Sequence, residues 1–207
     1  DLPAFAIQHH HAHIAACMAE REMKGKVIGF SLDGTGFGTD GTIWGGEVLL
    51  CDEVNFQRLA YFRQVPLPGG DKAIKEPWRM ALAYGHASGI NFPVDEFFPN
   101  VSSAEFELVS KMIQKNINSP LTSSCGRLFD AVAALCGLRN RVGYEGQAAM
   151  QLEALLDRLH QPPSQIYHFE IQIKDDLHII DWQPVIQKVV MDVRKNVPRT
   201  EISWKFH

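Results

Sequence analysis

Between Lys26 and Val65 three runs of β-forming residues succeed one another with only turn-formers between them, and no other stretch restricts the fold as strongly. KVIGFSLDG is a short apolar run ending in Asp33-Gly34, the pattern of a buried strand. Residues 35–41 hold three glycines and an Asp-Gly pair, which predicts a turn. TIWGGEVLLCD and VNFQRLAYFRQV then read as two more strands. Strand, glycine turn, strand, strand opens an antiparallel three-stranded unit within an α/β fold.

Helical spacing dominates the flanks. Residues 7–24 predict a helix with Ala, Cys and Met on its apolar stripe and Gly25 as its stop. After Pro66-Leu67-Pro68-Gly69-Gly70, helices are predicted over 72–84, 103–117, 127–138 and 145–159, the last broken by Pro162-Pro163. QIYHFEIQI reads as a short strand. Asp181 reads as the N-cap of a helix running to about Lys195 with Pro184 in its first turn. Trp204-Lys205-Phe206-His207 has the look of the first turns of another helix, so a chain truncated at both ends is expected.

The net charge of −4 argues against an extended nucleic-acid surface, which needs a basic excess. Cys17, Cys51, Cys125 and Cys136 form no CxxC pair, as expected of reduced thiols in a cytoplasmic protein. No stretch approaches the roughly 20 apolar residues of a membrane span, and DLPAFAIQ lacks the regions of a signal peptide.

The densest chemical signal is Gln8-His9-His10-His11-Ala12-His13. On a helix His9 and His13 share one face and can grip one metal ion, while His10 and His11 point elsewhere as supporting or surface groups. Neutral imidazoles with a carboxylate suit iron or zinc and leave positions open for substrate; Asp33, at a strand end, is the candidate third ligand. The competing reading is a polar helix start with ordinary surface histidines.

Asp33-Gly34-Thr35-Gly36 begins a glycine turn whose amides can cradle phosphate oxygens, though neither standard nucleotide motif applies and a plain hairpin turn explains it too. Trp44-Gly45-Gly46-Glu47 weakens the plain reading, because paired glycines inside a strand cost stability without a packing or ligand reason. Asp130, beside Arg127, reads either as half of a surface pair or as an acceptor of ribose hydroxyls. Gly143-Tyr144-Glu145-Gly146-Gln147 precedes a helix whose start favours an anion. Asp71 reads as an N-cap, and Cys125 as a structural thiol with no histidine near it in sequence.

Taken in order, QHHHAHIAACMAE, LDGTGFGTDGTIWGGE, PLPGGDKAIKEPWRMA and SSCGRLFDAVAALCGL with YEGQAAMQLE resemble the signature blocks of the HypF carbamoyltransferases of [NiFe] hydrogenase maturation. The resemblance covers about residues 7–160. More distant similarity runs through antibiotic O-carbamoyltransferases to the tRNA threonylcarbamoyl-transferases (TsaD), which have an H-x-x-x-H helix of their own.

The resemblance implies a ribonuclease-H-like α/β lobe of the actin-like, sugar-kinase-like ATPases. Residues 1–25 would be a metal-binding helix from the preceding lobe. Residues 26–207 would be the lobe itself, with a helical insertion over about 71–160 and a truncated C-terminus. His9, His13 and Asp33 would hold the metal; Gly34 and Gly36 would face phosphate; Asp130, Glu145, Gly146 and Gln147 would hold the nucleoside. A further ligand aspartate and a glycine-rich phosphate loop would lie beyond residue 207.

By the same resemblance, upstream domains convert carbamoyl phosphate and ATP to carbamoyl-adenylate. The module then passes the carbamoyl group to the C-terminal cysteine of a HypE-type acceptor protein. The site in this chain alone is therefore expected to be incomplete. The rival readings are transfer to a small-molecule hydroxyl or tRNA adenosine, and a non-catalytic metal- or nucleotide-binding fragment.

Overall fold

The computed structural model describes residues 2–158 and 163–207. Helix α1 (His9–Glu20) starts where the Gln8 side chain accepts the His11 N–H at 2.9 Å. It is shorter than predicted because Glu22 turns into the left-handed region three residues before Gly25. Its apolar side, Ile14 and Met18, packs on Trp44, Leu49 and Cys51 as a small separate core. Gly29 makes that fit possible, since a Cβ there would stand 2.4 Å from Ile14 Cδ1.

The three predicted strands are β1 (Val27–Phe37), β2 (Ile43–Cys51) and β3 (Phe56–Phe62), paired antiparallel in sequence order. The expected turn over 35–41 is corrected: β1 continues to Phe37, and the reversal is confined to 38–42. There Gly38 N–H donates to Thr42 O, and Asp40 Oδ1 accepts from Thr42 and Trp44 Nε1. The glycines at 34 and 36 are therefore strand residues. Pairing slips between Leu32, opposite Gly46, and Gly36, opposite Trp44. Asp33, Gly34 and Thr35 thus face Gly45 alone, a bulge that re-aims the strand.

Strands β4 (Val65–Pro66) and β5 (Leu121–Thr122), and the hairpin of β6 (Glu170–Lys174) with β7 (Leu177–Asp181), complete a mixed seven-stranded sheet. Its order is β4-β5-β2-β3-β7-β6, with β1 also on β2. β5 interrupts the stretch expected to be helical.

Between β4 and β5 lie α2 (Asp71–Lys75), α3 (Pro77–Ala87), α4 (Val94–Phe97) and α5 (Ser103–Lys115); after β5 come α6 (Cys125–Leu135) and α7 (Gln147–Glu153). The single helix predicted over 72–84 is two, because Pro77 removes an N–H and pushes Glu76 out of helical geometry. Asp71 is the first residue of α2, not its cap, which is Gly70. The helix predicted over 145–159 begins at Gln147; its last residue and Pro162 lie outside the described residues.

Every residue from Pro77 to Gly85 is buried, so α3 is the hub of the main core, packed against α6 and α8 (Gln183–Arg194). Asp181 ends β7 and accepts the Gln183 N–H from there, while Trp182 takes the cap position of α8. Trp204, Lys205 and Phe206 lie in α9 (Arg199–Phe206), the further helix expected there, which begins five residues earlier at Arg199. Among the described residues no helix is long and apolar enough to cross a membrane.

Candidate metal centre

Helix periodicity puts the imidazoles of His9 and His13 one above the other at the edge of α1, and the bulge turns Asp33 towards them. His9 Nε2 lies 3.0 Å from Asp33 Oδ2, His13 Nε2 lies 3.6 Å from the same oxygen, and the two nitrogens are 3.1 Å apart. Zinc–nitrogen and zinc–oxygen bonds of about 2.0–2.1 Å in tetrahedral array would separate donors by about 3.3 Å. The observed triangle brackets that spacing. Its side chains are 48%, 58% and 30% exposed, so one side of the triangle stays open. Burial raises the Asp33 carboxyl, but the Gly34 N–H (2.6 Å) and His9 outweigh it and hold the group below its usual range. Two imidazole nitrogens and an ionised oxygen are the donor set a divalent cation of borderline softness takes.

The neighbouring histidines are not surface groups. His11 is buried and its Nε2 lies 2.8 Å from the Asp52 carbonyl. His10 is fully buried beside Trp44, with Nδ1 3.1 Å from Gln8 Nε2 and Nε2 without a partner among the described residues. Burial, reinforced by His9, lowers its pKa to about 4, so it is neutral at physiological pH. Gly36 lies directly under these rings: a Cβ there would be 2.4 Å from His10 Cε1 and 2.9 Å from His9 Cδ2. The Gly34 amide is turned onto the Asp33 carboxylate rather than outward.

On the other side of the bulge, the Ser124 hydroxyl lies 2.9 Å from the Asp33 carbonyl and 2.8 Å from that of Gly34. Gly126 packs so closely that a Cβ there would be 3.0 Å from Gly34 Cα. Arg127 and Asp130 follow on α6, and the expected surface pair is corrected: both are buried. Arg127 Nε is 3.0 Å from Asp130 Oδ2 but off the N–H line, an ion pair and not a hydrogen bond. Among the described residues Arg127 Nε and Nη1 have no hydrogen-bond partner, and Nη2 is 3.9 Å from the exposed carboxylate of Glu145. Burial pushes the Asp130 carboxyl up to about 6 against the pull of Arg127.

Gly146 is the left-handed cap of α7, and Gln147 Oε1 accepts the Gly143 N–H at 2.8 Å, which closes that loop on itself. The structure therefore brings His9, His13 and Asp33 together, and Asp130, Glu145 and Gly34 around Arg127. Sequence reasoning missed Ser124 and the burial of Arg127. The usable signal was the serine opening α6, since Ser124 also caps that helix by accepting the Arg127 N–H.

A family described as "Carbamoyltransferase, Kae1-like Domain, second subdomain", of the HypF C-terminal region, matches residues 29–207. The chain belongs to the HypF carbamoyltransferase family. It is 50% identical over 163 residues to carbamoyltransferase HypF2 of Cupriavidus necator, covering 79% of this chain and 20% of that one. HypF of Synechocystis is 37% identical over 222 residues, across all of this chain and 28% of the relative.

A crystal structure of full-length HypF in a phosphate- and nucleotide-bound form superposes with a TM-score of 0.89 at 43% identity, covering all of this chain and 27% of that one. HypF of T. kodakarensis gives 0.80 at 32% identity, over 99% of this chain and 27% of that one. The chain thus spans between a fifth and two fifths of the HypF proteins it matches.

Proposed function

We propose that this chain is the metal- and nucleotide-facing part of a carbamoyltransferase. In this reading it transfers carbamoyl from carbamoyl-adenylate, made elsewhere in the protein from carbamoyl phosphate and ATP, to the C-terminal cysteine of a HypE-type acceptor. The observation that carries it is the convergence of two imidazole nitrogens and one carboxylate oxygen within 3.0–3.6 Å. The family membership and the phosphate and nucleotide bound to a solved relative support the substrate class.

A divalent ion, iron or zinc by donor chemistry, would be held by His9, His13 and Asp33 and would supply Lewis acidity to substrate oxygens. The residues of the chain do the rest. Arg127, buried and short of partners, offers positive charge to the departing nucleotide. Gly34 and Gly36 keep the backbone close to the phosphate side, and Asp130, with the 145–147 loop, takes the nucleoside. No nucleophile is needed here: burial pushes the Cys125 thiol up to about 11, and the attacking thiolate belongs to the acceptor.

The same reading includes the ribonuclease-H-like architecture, with α1 contributed by a preceding lobe and the helices between about 71 and 160 inserted into the lobe that follows.

The test is the double change His9→Ala/His13→Ala in the intact protein. Bound metal and carbamoyl transfer to the acceptor cysteine should both fall at least 100-fold with the fold retained. Transfer at the wild-type rate by a folded variant would overturn the reading.

A further inference from the structure

Glu47 is fully buried, yet one carboxylate collects four donors. Oε2 accepts the N–H groups of Gly45 at 2.5 Å and Gly46 at 2.7 Å; Oε1 accepts Ser123 Oγ at 2.5 Å and Arg58 Nη2 at 2.7 Å. Arg58 is itself fixed. Its guanidinium lies 4.0 Å from both the Trp44 and Tyr61 ring centres, and its other end reaches Asp40 at 3.0 Å. Burial raises the Glu47 carboxyl, and Ser123, Arg58 and Gly45 act against it. A buried ion pair is a poor way to stabilise a sheet that an apolar pair would stabilise as well, so its use points to positioning.

What the carboxylate holds is the seat of the bulge. Gly45 is the β2 residue opposite Asp33–Thr35, and a Cβ on it would stand 2.6 Å from the Asp33 carbonyl. A Cβ on Gly46 would stand 2.4 Å from the Ser123 carbonyl. This close approach is the packing reason for the paired glycines. Ser123 binds Glu47, and the next residue, Ser124, holds the carbonyls of Asp33 and Gly34. Two lines, one through β2 and one through the start of α6, therefore run from Glu47 to the backbone of Asp33.

We infer that Glu47 is a positioning residue: its carboxylate fixes the main chain at the bulge so that the Asp33 side chain meets His9 and His13, without itself touching ion or substrate. The inference rests on the metal reading above.

The experiment measures Zn²⁺ affinity by chelator competition and the visible absorption of the Co²⁺-loaded protein, for intact wild type, His9→Ala/His13→Ala, Glu47→Gln and Ser124→Ala. Glutamine keeps the shape but turns one acceptor into a donor facing donors. A folded Glu47→Gln variant should lose at least 10-fold in Zn²⁺ affinity and alter the Co²⁺ spectrum; Ser124→Ala should alter the spectrum with a smaller loss. If Glu47→Gln does not fold, Ser124→Ala decides. Should the histidine double variant bind Zn²⁺ as wild type does, the metal reading fails and takes the inference with it. Should the histidine variant lose the metal while every folded variant at 47 and 124 keeps wild-type affinity and spectrum, the metal reading stands and the positioning role is overturned.

Discussion

His10 and His9 are adjacent on one helix, yet one ring is fully buried and neutral and the other is exposed beside a carboxylate. The four-residue spacing made the pairing of His9 with His13 legible in sequence. It could not show that the other two imidazoles are packing residues, because their burial depends on Trp44 and Phe56 from β2 and β3.

Asp130 gives a test at this scale. Its folded pKa of about 6 exceeds the ordinary value of 3.8, so the folded state holds this proton more tightly than the unfolded chain. Its effect on stability is therefore absent below about pH 4, grows more unfavourable as pH rises towards 6, and is constant above, a difference of about 3 kcal/mol for a shift of roughly two units. Urea unfolding of wild type and Asp130→Asn at pH 4, 5 and 6.5 should show wild type losing about that much relative to the variant. Parallel pH profiles would contradict it.

The bulge in β1 is the element on which the candidate site turns. In sequence Asp33, Gly34 and Gly36 form a cluster whose glycine content predicts a reversal. The reversal lies further on because Asp40 closes it with Thr42 and Trp44, contacts that a glycine count does not register. Glycine at 36 answers to the helix above it, a non-local demand. Gly36→Ala should therefore push α1 off the bulge, costing about 1–3 kcal/mol through overpacking against a ring that cannot retreat. Zn²⁺ binding should weaken in parallel; a variant with wild-type stability and affinity would contradict the close contact. The β6–β7 hairpin was half missed for a related reason: its turn is Asp175-Asp176, both at positive φ, without the usual glycine.

At the scale of the whole molecule, α1 is joined to the sheet by a core of five buried residues, small beside the cluster around α3, α6 and α8. A cation held by His9, His13 and Asp33 would tie α1 to β1 and stabilise that weaker junction. At 100 times its dissociation constant it would add about 2.7 kcal/mol, and a melting temperature higher by roughly 5–11 °C is expected for a chain of this size. Thermal unfolding with Zn²⁺ and with excess chelator checks this, and equal midpoints would contradict it. The first three strands, most helices and the histidine pair were readable from local pattern. The mixed sheet order, the parallel pairing of β3 with β7 and the burial of Arg127 were not, because each is decided by residues far apart in the chain.

The most direct measurement is anomalous diffraction at the zinc edge from crystals grown with Zn²⁺. A peak within about 2.0–2.2 Å of His9 Nε2, His13 Nε2 and an Asp33 carboxylate oxygen is the expected result. Zinc bound elsewhere, with no peak between those three side chains, would contradict the account.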